Sequence, residues 1–238
     1  MIVNLYLNVN FKKGEKVKTC VCIISGGMDS ALSAKMAALE GYNIIALHFN
    51  YAQRTKSKEL SCFRKIVASL AVEKAYEIDL PFFEEIGASA LTDTDIIVPT
   101  AGIEEGVPVT YVPFRNGIFL SIAAALAEKH SASAMFIGVV EEDSSGYPDC
   151  RESFIKHMQK AINLGTKEET HLEIKMPLVS LKKSEIVEKS LALGVPLEDT
   201  WSCYKSEEKA CGLCDSCRLR LEGFRVAGAI DPLHYESV

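Results

Sequence analysis

An apolar, β-branched run from Val21 to Ile24 stops at the hexapeptide Ser25-Gly26-Gly27-Met28-Asp29-Ser30, and a helical pattern opens at Ala31. A strand, a glycine turn and a helix N-terminus, in that order, commit this part of the chain to an α/β unit and make a cradle for an anion. Glycine lets backbone N–H groups approach the anion closely, the hydroxyls of Ser25 and Ser30 add donors, and the helix dipole adds partial positive charge. The expected ligand is a nucleotide phosphate. The plainer reading of the same residues is a tight Gly-Gly turn with Asp29 or Ser30 as N-cap. The G-x-x-x-x-G-K-[ST] loop, whose lysine reaches terminal phosphates, does not occur here.

The pattern that follows is that of a doubly wound, mostly parallel sheet. Leu32, Met36 and Leu39 continue a helix that Gly41 ends as a left-handed cap, and Ile44 to Phe49 forms a second strand. Leu60, Phe63, Val67 and Leu70 then mark a helix, Tyr76 to Leu80 a strand, Ile118, Ile122, Ala125 and Leu126 a helix capped by Asn116, and Ala134 to Val140 a strand. Strands alternating with helices at this spacing pair in parallel through right-handed crossovers. Phe154, Ile155, Met158 and Ile162 predict a further helix, His171 to Met176 a short strand, and Lys182 to Leu193 a helix closed by Gly194 and Pro196. The stretch from Leu91 to Pro113 has no period and is expected to act as a mobile lid or binding loop.

At 238 residues the chain has room for one α/β core with an elaboration. The expected organisation is an N-terminal strand or hairpin arm (1–18), a nucleotide-binding α/β domain (19–176) and a helical, four-cysteine extension (177–238). No apolar run approaches the roughly 18 residues of a membrane span, and the N-terminus lacks the pattern of a signal peptide, so a cytoplasmic protein is expected. A net charge of -6 argues against a nucleic-acid footprint and for a small-molecule partner.

Four of the eight cysteines, Cys203, Cys211, Cys214 and Cys217, stand in the spacing C-x7-C-x2-C-x2-C. Four thiolates so close favour a metal in a reducing compartment over disulfides, with zinc preferred and an iron–sulfur cluster as the alternative. A closed four-cysteine site has no open coordination position, so its role is structural. Cys20, Cys22 and Cys62 read as small apolar packing, and Cys150 is left outside the catalytic set because no histidine adjoins it in sequence.

The hexapeptide resembles the pyrophosphate (PP) loop of the ATP pyrophosphatase superfamily. Together with Asn50-Tyr51-Ala52-Gln53-Arg54, Tyr111-Val112-Pro113-Phe114-Arg115-Asn116, Ser145-Gly146-Tyr147-Pro148-Asp149-Cys150-Arg151 and the block from Thr200 through Cys217, it resembles the 7-cyano-7-deazaguanine synthase family within that superfamily. The resemblance runs from about Cys20 to Pro232 and departs from the family at Ala52, usually glycine, at Thr55, often histidine, and over Val139 to Asp143.

The resemblance implies an adenine nucleotide alpha hydrolase-like fold and an ATP-dependent ligase of queuosine biosynthesis. Its substrates would be 7-carboxy-7-deazaguanine and free ammonia, passing through adenylated carboxylate and amide intermediates to the nitrile. Backbone amides of Ile24, Ser25, Gly26, Gly27, Met28, Asp29, Ser30, Ala31, Leu32, Ser33 and Ala34 would hold ATP, with Asp29 on magnesium. Arg115 would neutralise charge as pyrophosphate departs. Gln53, Arg54, Arg115, Asp149 and Arg151 would bind the deazaguanine, Asp149 taking hydrogen bonds from its guanine-like edge. One structural zinc per chain is implied, and the arm with an apolar C-terminal helix is where a homodimer is expected. Rival readings are a tRNA-thiolating or amide-forming PP-loop synthetase.

Overall fold

The computed structural model describes residues 17–102, 106–141 and 146–236. The strand or hairpin expected of the N-terminal arm lies outside them. Five strands, β1 (Thr19–Ile23), β2 (Asn43–Asn50), β3 (Val72–Asp79), β4 (Ala134–Phe136) and β5 (Glu173–Lys175), form one parallel sheet in the order β3-β2-β1-β4-β5. Seven α-helices accompany them among the described residues: α1 (Met28–Leu39), α2 (Lys56–Ser69), α3 (Phe82–Ile86), α4 (Arg115–Lys129), α5 (Glu152–Gly165), α6 (Lys183–Ala192) and α7 (Asp215–Val226). No described helix is long and apolar enough to cross a membrane.

The period of two along each strand splits the core into two layers. Val21, Ile23, Ile45, Leu47 and Met135 pack with Leu120, Ala123 and Ile155 of α4 and α5 on one face. Cys20, Cys22, Ile44, Ala46 and Phe136 pack with Leu32, Phe63 and Ile186 of α1, α2 and α6 on the other. A sheet covered on both faces explains why β1 reads as continuously apolar. The C-terminal extension is packed into this second layer through Leu178, Ile186, Val187, Leu197 and Phe224.

Several boundaries differ from expectation for local reasons. β3 starts at Val72, because an edge strand with Glu73, Lys74 and Glu77 on its rim shows little hydrophobic signal. β4 ends at Phe136 rather than Val140, and Gly138 beyond it turns against Asp29 and Ser30 at the start of α1. Asn116 does not cap α4. Phe114, at φ 53°, holds the cap, and Asn116 is buried in the first turn, donating from Nδ2 to the Asp149 carbonyl and the Cys150 sulfur. Helix α7 is mostly polar and spends its buried side on Cys217, Arg220, Gly223 and Phe224, so it is not the apolar helix expected of a dimer contact. A Cβ at Gly223 would lie 2.6 Å from Lys183 Cγ, so α7 meets α6 at backbone distance.

Candidate active site

The strand order reverses direction between β1 and β4, where doubly wound sheets open a crevice at their carboxyl ends. The hexapeptide fills that position. Gly26 takes φ 93°, and a Cβ there would lie 2.4 Å from the Glu59 carbonyl oxygen, so α2 excludes any side chain. Ser30 Oγ accepts from Ser25 N at 3.1 Å and donates to Gly27 O at 2.9 Å, and Ser25 Oγ accepts from Gly27 N at 3.3 Å. Both hydroxyls therefore shape the loop. Helix α1 begins at Met28, which places Asp29 and Ser30 in its first turn, where the dipole favours negative charge.

A cavity of about 270 Å³ opens above the loop, and Ser25, Gly27, Met28, Asp29 and Ser30 line it. Ile24, Ala31, Leu32, Ser33 and Ala34 are buried beneath. Aromatic rings of Tyr51, Phe119, Tyr147, Trp201 and Tyr204 supply further walls. Apolar walls with a few convergent polar groups are the usual form of a small-molecule site.

Arg115 is the cation inside this cavity that α4 supplies. Its Nη1 donates to the Tyr51 hydroxyl at 3.0 Å, and its guanidinium lies 5.2 Å and 5.8 Å from the Tyr51 and Phe119 ring centroids. Burial works against its charge, but Tyr51, Cys150, Tyr147 and Asp149 around it hold its pKa above the ordinary arginine value. Burial pushes the Tyr51 phenol up to about 12, so Tyr51 is neutral beside it. The buried Arg115 Nε has no hydrogen-bond partner among the described residues, a donor awaiting an anion.

The other expected substrate contacts are placed differently. Gln53 is buried behind the wall, accepting from Tyr51 N at 2.7 Å and donating to Glu59 at 3.1 Å. Arg54 donates to the carbonyls of Ala90, Asp93 and Ile96 at 2.6, 2.7 and 2.7 Å, clamping the start of the long loop. Asp149 accepts from Asn116 N at 2.9 Å, so it serves the first turn of α4. Burial raises its carboxyl, opposed by that bond and by Arg115. Arg151 stands exposed at the N-cap of α5. Of these residues and Arg115, only Arg115 lines the cavity.

Lys183 and Glu59 also line it, and no sequence motif points to either. A lysine in the first turn of a helix opposes the dipole, and that misfit is the one available signal for Lys183. Its Nζ contacts Asp29, tying α6 to α1.

The four sulfurs of Cys203, Cys211, Cys214 and Cys217 lie within 4.8 Å of one another, all buried. Backbone N–H groups of Lys205 and Cys211 each reach Cys203 Sγ at 3.4 Å, and Cys214 N reaches Cys211 Sγ at 3.4 Å. Hydrogen bonds from Cys214 and Cys217 hold the Cys203 thiol well below its ordinary value, while the contact with Cys203 pushes Cys214 up. Four buried sulfurs at this separation fit a thiolate-bound metal ion. The cluster touches the Ser25–Ser30 loop through Trp201, whose backbone N–H donates to Gly26 O at 2.9 Å.

Residues 19–228 match the family model described as "Queuosine biosynthesis protein QueC". The "7-cyano-7-deazaguanine synthase" of Sulfurovum sp. (strain NBC37-1) is 76% identical over 220 residues, 92% of this chain and 99% of that one. The protein of the same description from Sulfurimonas denitrificans is 66% identical over 92% of this chain and 98% of that one. Among solved structures, an NMN synthetase from Francisella tularensis aligns at 17% identity with a TM-score of 0.48, over 90% of this chain and 79% of that chain. The chain belongs to the QueC family of queuosine biosynthesis proteins.

Proposed function

We propose that the chain catalyses the ATP-dependent conversion of 7-carboxy-7-deazaguanine and ammonia into 7-cyano-7-deazaguanine. The observation that carries this reading at the level of the site is the buried Arg115 guanidinium, one N–H unpartnered, facing a PP-loop across one cavity. Carboxylate and amide oxygens are poor leaving groups until they are adenylated, and one phosphate loop serves both activations.

In this reading the amides at the start of α1 bind the ATP phosphates, and Arg115 draws charge from the departing pyrophosphate. Lys183 leaves Asp29 as the nucleotide enters and pairs with phosphate oxygens. Magnesium, when bound, supplies further positive charge on those oxygens, and the Asp29 carboxylate in the first turn of α1 is a hard donor suited to hold it. The four cysteines hold zinc, which braces the Trp201 contact. The aromatic walls hold the deazaguanine ring and exclude water, while Asn116 and Asp149 keep the first turn of α4 in place and so aim Arg115. The proposal includes cytoplasmic residence and a homodimer.

Purified protein incubated with ATP, magnesium, ammonium and 7-carboxy-7-deazaguanine is expected to yield the nitrile by mass spectrometry, with AMP as the nucleotide product. ADP as product, or the absence of nitrile, overturns the reading.

A further inference from the structure

Two carboxylates line the cavity, Asp29 and Glu59. Asp29 is ion-paired with Lys183, whereas the hydrogen bonds shown to Glu59 come from neutral donors. Thr55 Oγ1 donates to Oε1 at 2.6 Å and Gln53 Nε2 donates to Oε2 at 3.1 Å. Each carboxylate oxygen can take two hydrogen bonds, so both keep an acceptor position. Gln53 is itself locked by Tyr51 N and fixes the rotamer of Glu59. The carboxylate is thus held in one orientation with acceptor capacity to spare.

The surroundings suit a proton acceptor. Burial pushes the Glu59 carboxyl above its ordinary range, against the two hydrogen bonds and Arg115, with Glu207 adding to the rise. Tyr51 and Cys62, whose own titration Glu59 influences, are both raised by burial and stay neutral near pH 7, and Asp29, Lys183 and Arg220 are the other charged groups lining the cavity. A general base works best when its pKa approaches the operating pH.

The inference rests on the ligase reading above. Ammonia is present almost entirely as ammonium at neutral pH, and ammonium has no lone pair with which to attack. We propose that Glu59 binds the ammonium ion at the mouth of the PP-loop and takes the proton that releases its lone pair. The ammonia so formed attacks the acyl carbon of the adenylated carboxylate. As the C–N bond forms, the C–O bond to AMP breaks and its electron pair leaves on the AMP phosphate. The second surplus proton on the nitrogen goes to solvent, as does the one on Glu59 before the next cycle. Thr55 sets the basicity of Glu59 by donating to it.

The test compares wild type with Glu59→Gln in partial reactions. Acid-dependent exchange of labelled pyrophosphate into ATP reports adenylation alone and is expected to stay within about twofold, while kcat/KM for ammonium falls at least about 100-fold. Hydroxylamine, a weaker base already neutral near pH 7, is expected to trap the acyl-adenylate as the hydroxamate at a rate close to wild type. The acid limb of the wild-type ammonia reaction is expected to flatten in the variant. If hydroxylamine trapping falls as far as ammonia use, Glu59 acts in binding the deazaguanine or in the fold, and the proposal is overturned. Undiminished ammonia use by Glu59→Gln overturns it as well. Thr55→Val offers a second measurement that keeps the carboxylate. Loss of one donor should move the acid limb to higher pH, and an unmoved limb counts against the proposal. Absence of exchange in wild type sinks the ligase reading itself.

Discussion

The ammonium of Lys183 lies 2.9 Å from one carboxylate oxygen of Asp29 and 3.1 Å from the other, joining the first turn of α6 to the first turn of α1. The two side chains are 15% and 30% exposed, so the pair is largely shielded from solvent but not sealed. Lys183→Met keeps a stem of similar length against Gly223 while deleting the charge. Its turnover is expected to fall by about 100-fold or more, because in the proposed role the charge acts on the phosphates at a site largely shielded from solvent. Stability should change by only about 1 kcal/mol, as partly exposed pairs contribute little. Rates of AMP release beside thermal melts separate the two effects, and a variant with wild-type turnover would remove Lys183 from the phosphate site.

Gly138 is where the chain beyond β4 passes the PP-loop. A Cβ at this residue would lie 2.8 Å from the Asp29 carbonyl carbon and 2.9 Å from Ser30 N. Gly138→Ala must therefore displace the first turn of α1, and a shift near 1 Å costs about 100-fold when it moves catalytic groups. At Gly165, the end of α5, a Cβ would meet nothing within 4 Å, and Gly165→Ala should leave kcat/KM for ATP unchanged. Equal kinetics for the two variants would refute the close approach.

The strand–glycine turn–helix unit at Ser25 to Ser30 and the cysteine cluster are legible in the sequence, because each depends on local spacing. The split of β1 into two faces is not, since Cys20 to Ile24 is apolar at every position, whereas the four cysteines span a short stretch that one ion can gather. Arg115 is legible too, from its motif. Arg54 and Asp149 look like substrate contacts in the sequence because both are polar and near motif residues, yet three carbonyls of the long loop satisfy Arg54 and the α4 backbone engages Asp149. Those partners lie 33 or more positions away, beyond the reach of any local pattern. Lys183 and Glu59 escape a sequence reading for the same reason: only the tertiary fold brings α6 and α2 to the mouth of β1.

Trp201 couples the four-cysteine cluster to the Ser25–Ser30 loop, since its backbone N–H bonds Gly26 O and Cys203 follows two residues later. The same strap is held by Arg220, which donates to Thr200 Oγ1 at 2.8 Å and pairs with Asp231 at 2.7 Å while 1% exposed. Structural zinc contributes on the order of 10 kcal/mol of folding free energy. Loss of even about 4 kcal/mol lowers the Tm of a chain this size by roughly 8–16 °C. Chelation is expected to cause such a drop together with loss of ATP binding, and one equivalent of zinc should restore both. Elemental analysis with calorimetry checks this; a metal-free protein with unchanged Tm would contradict it.

Ala52 sits at φ 61°, between the buried residues Tyr51 and Gln53. A left-handed conformation costs an alanine about 1 kcal/mol that glycine avoids. Ala52→Gly is accordingly expected to raise the Tm by a few degrees with no loss of turnover. A lower Tm would mean that the entropy added to the unfolded chain outweighs the relieved strain.

Cys150 lines the cavity and invites the idea of a covalent thioimide with the substrate. Burial, reinforced by Asp149, pushes its thiol up to about 12, and Asn116 Nδ2 contacts the sulfur at 3.3 Å. At pH 8 the thiolate fraction is then about one in ten thousand, too small for a useful nucleophile. Native protein should leave Cys150 unmodified by iodoacetamide near neutral pH. Cys150→Ala should still make the nitrile within about tenfold of the wild-type rate, the loss reflecting the freed Asn116 amide. Acid quench during turnover followed by intact-mass measurement decides the matter. A substrate adduct that maps to Cys150, and that disappears with Cys150→Ala along with activity, would establish covalent catalysis instead.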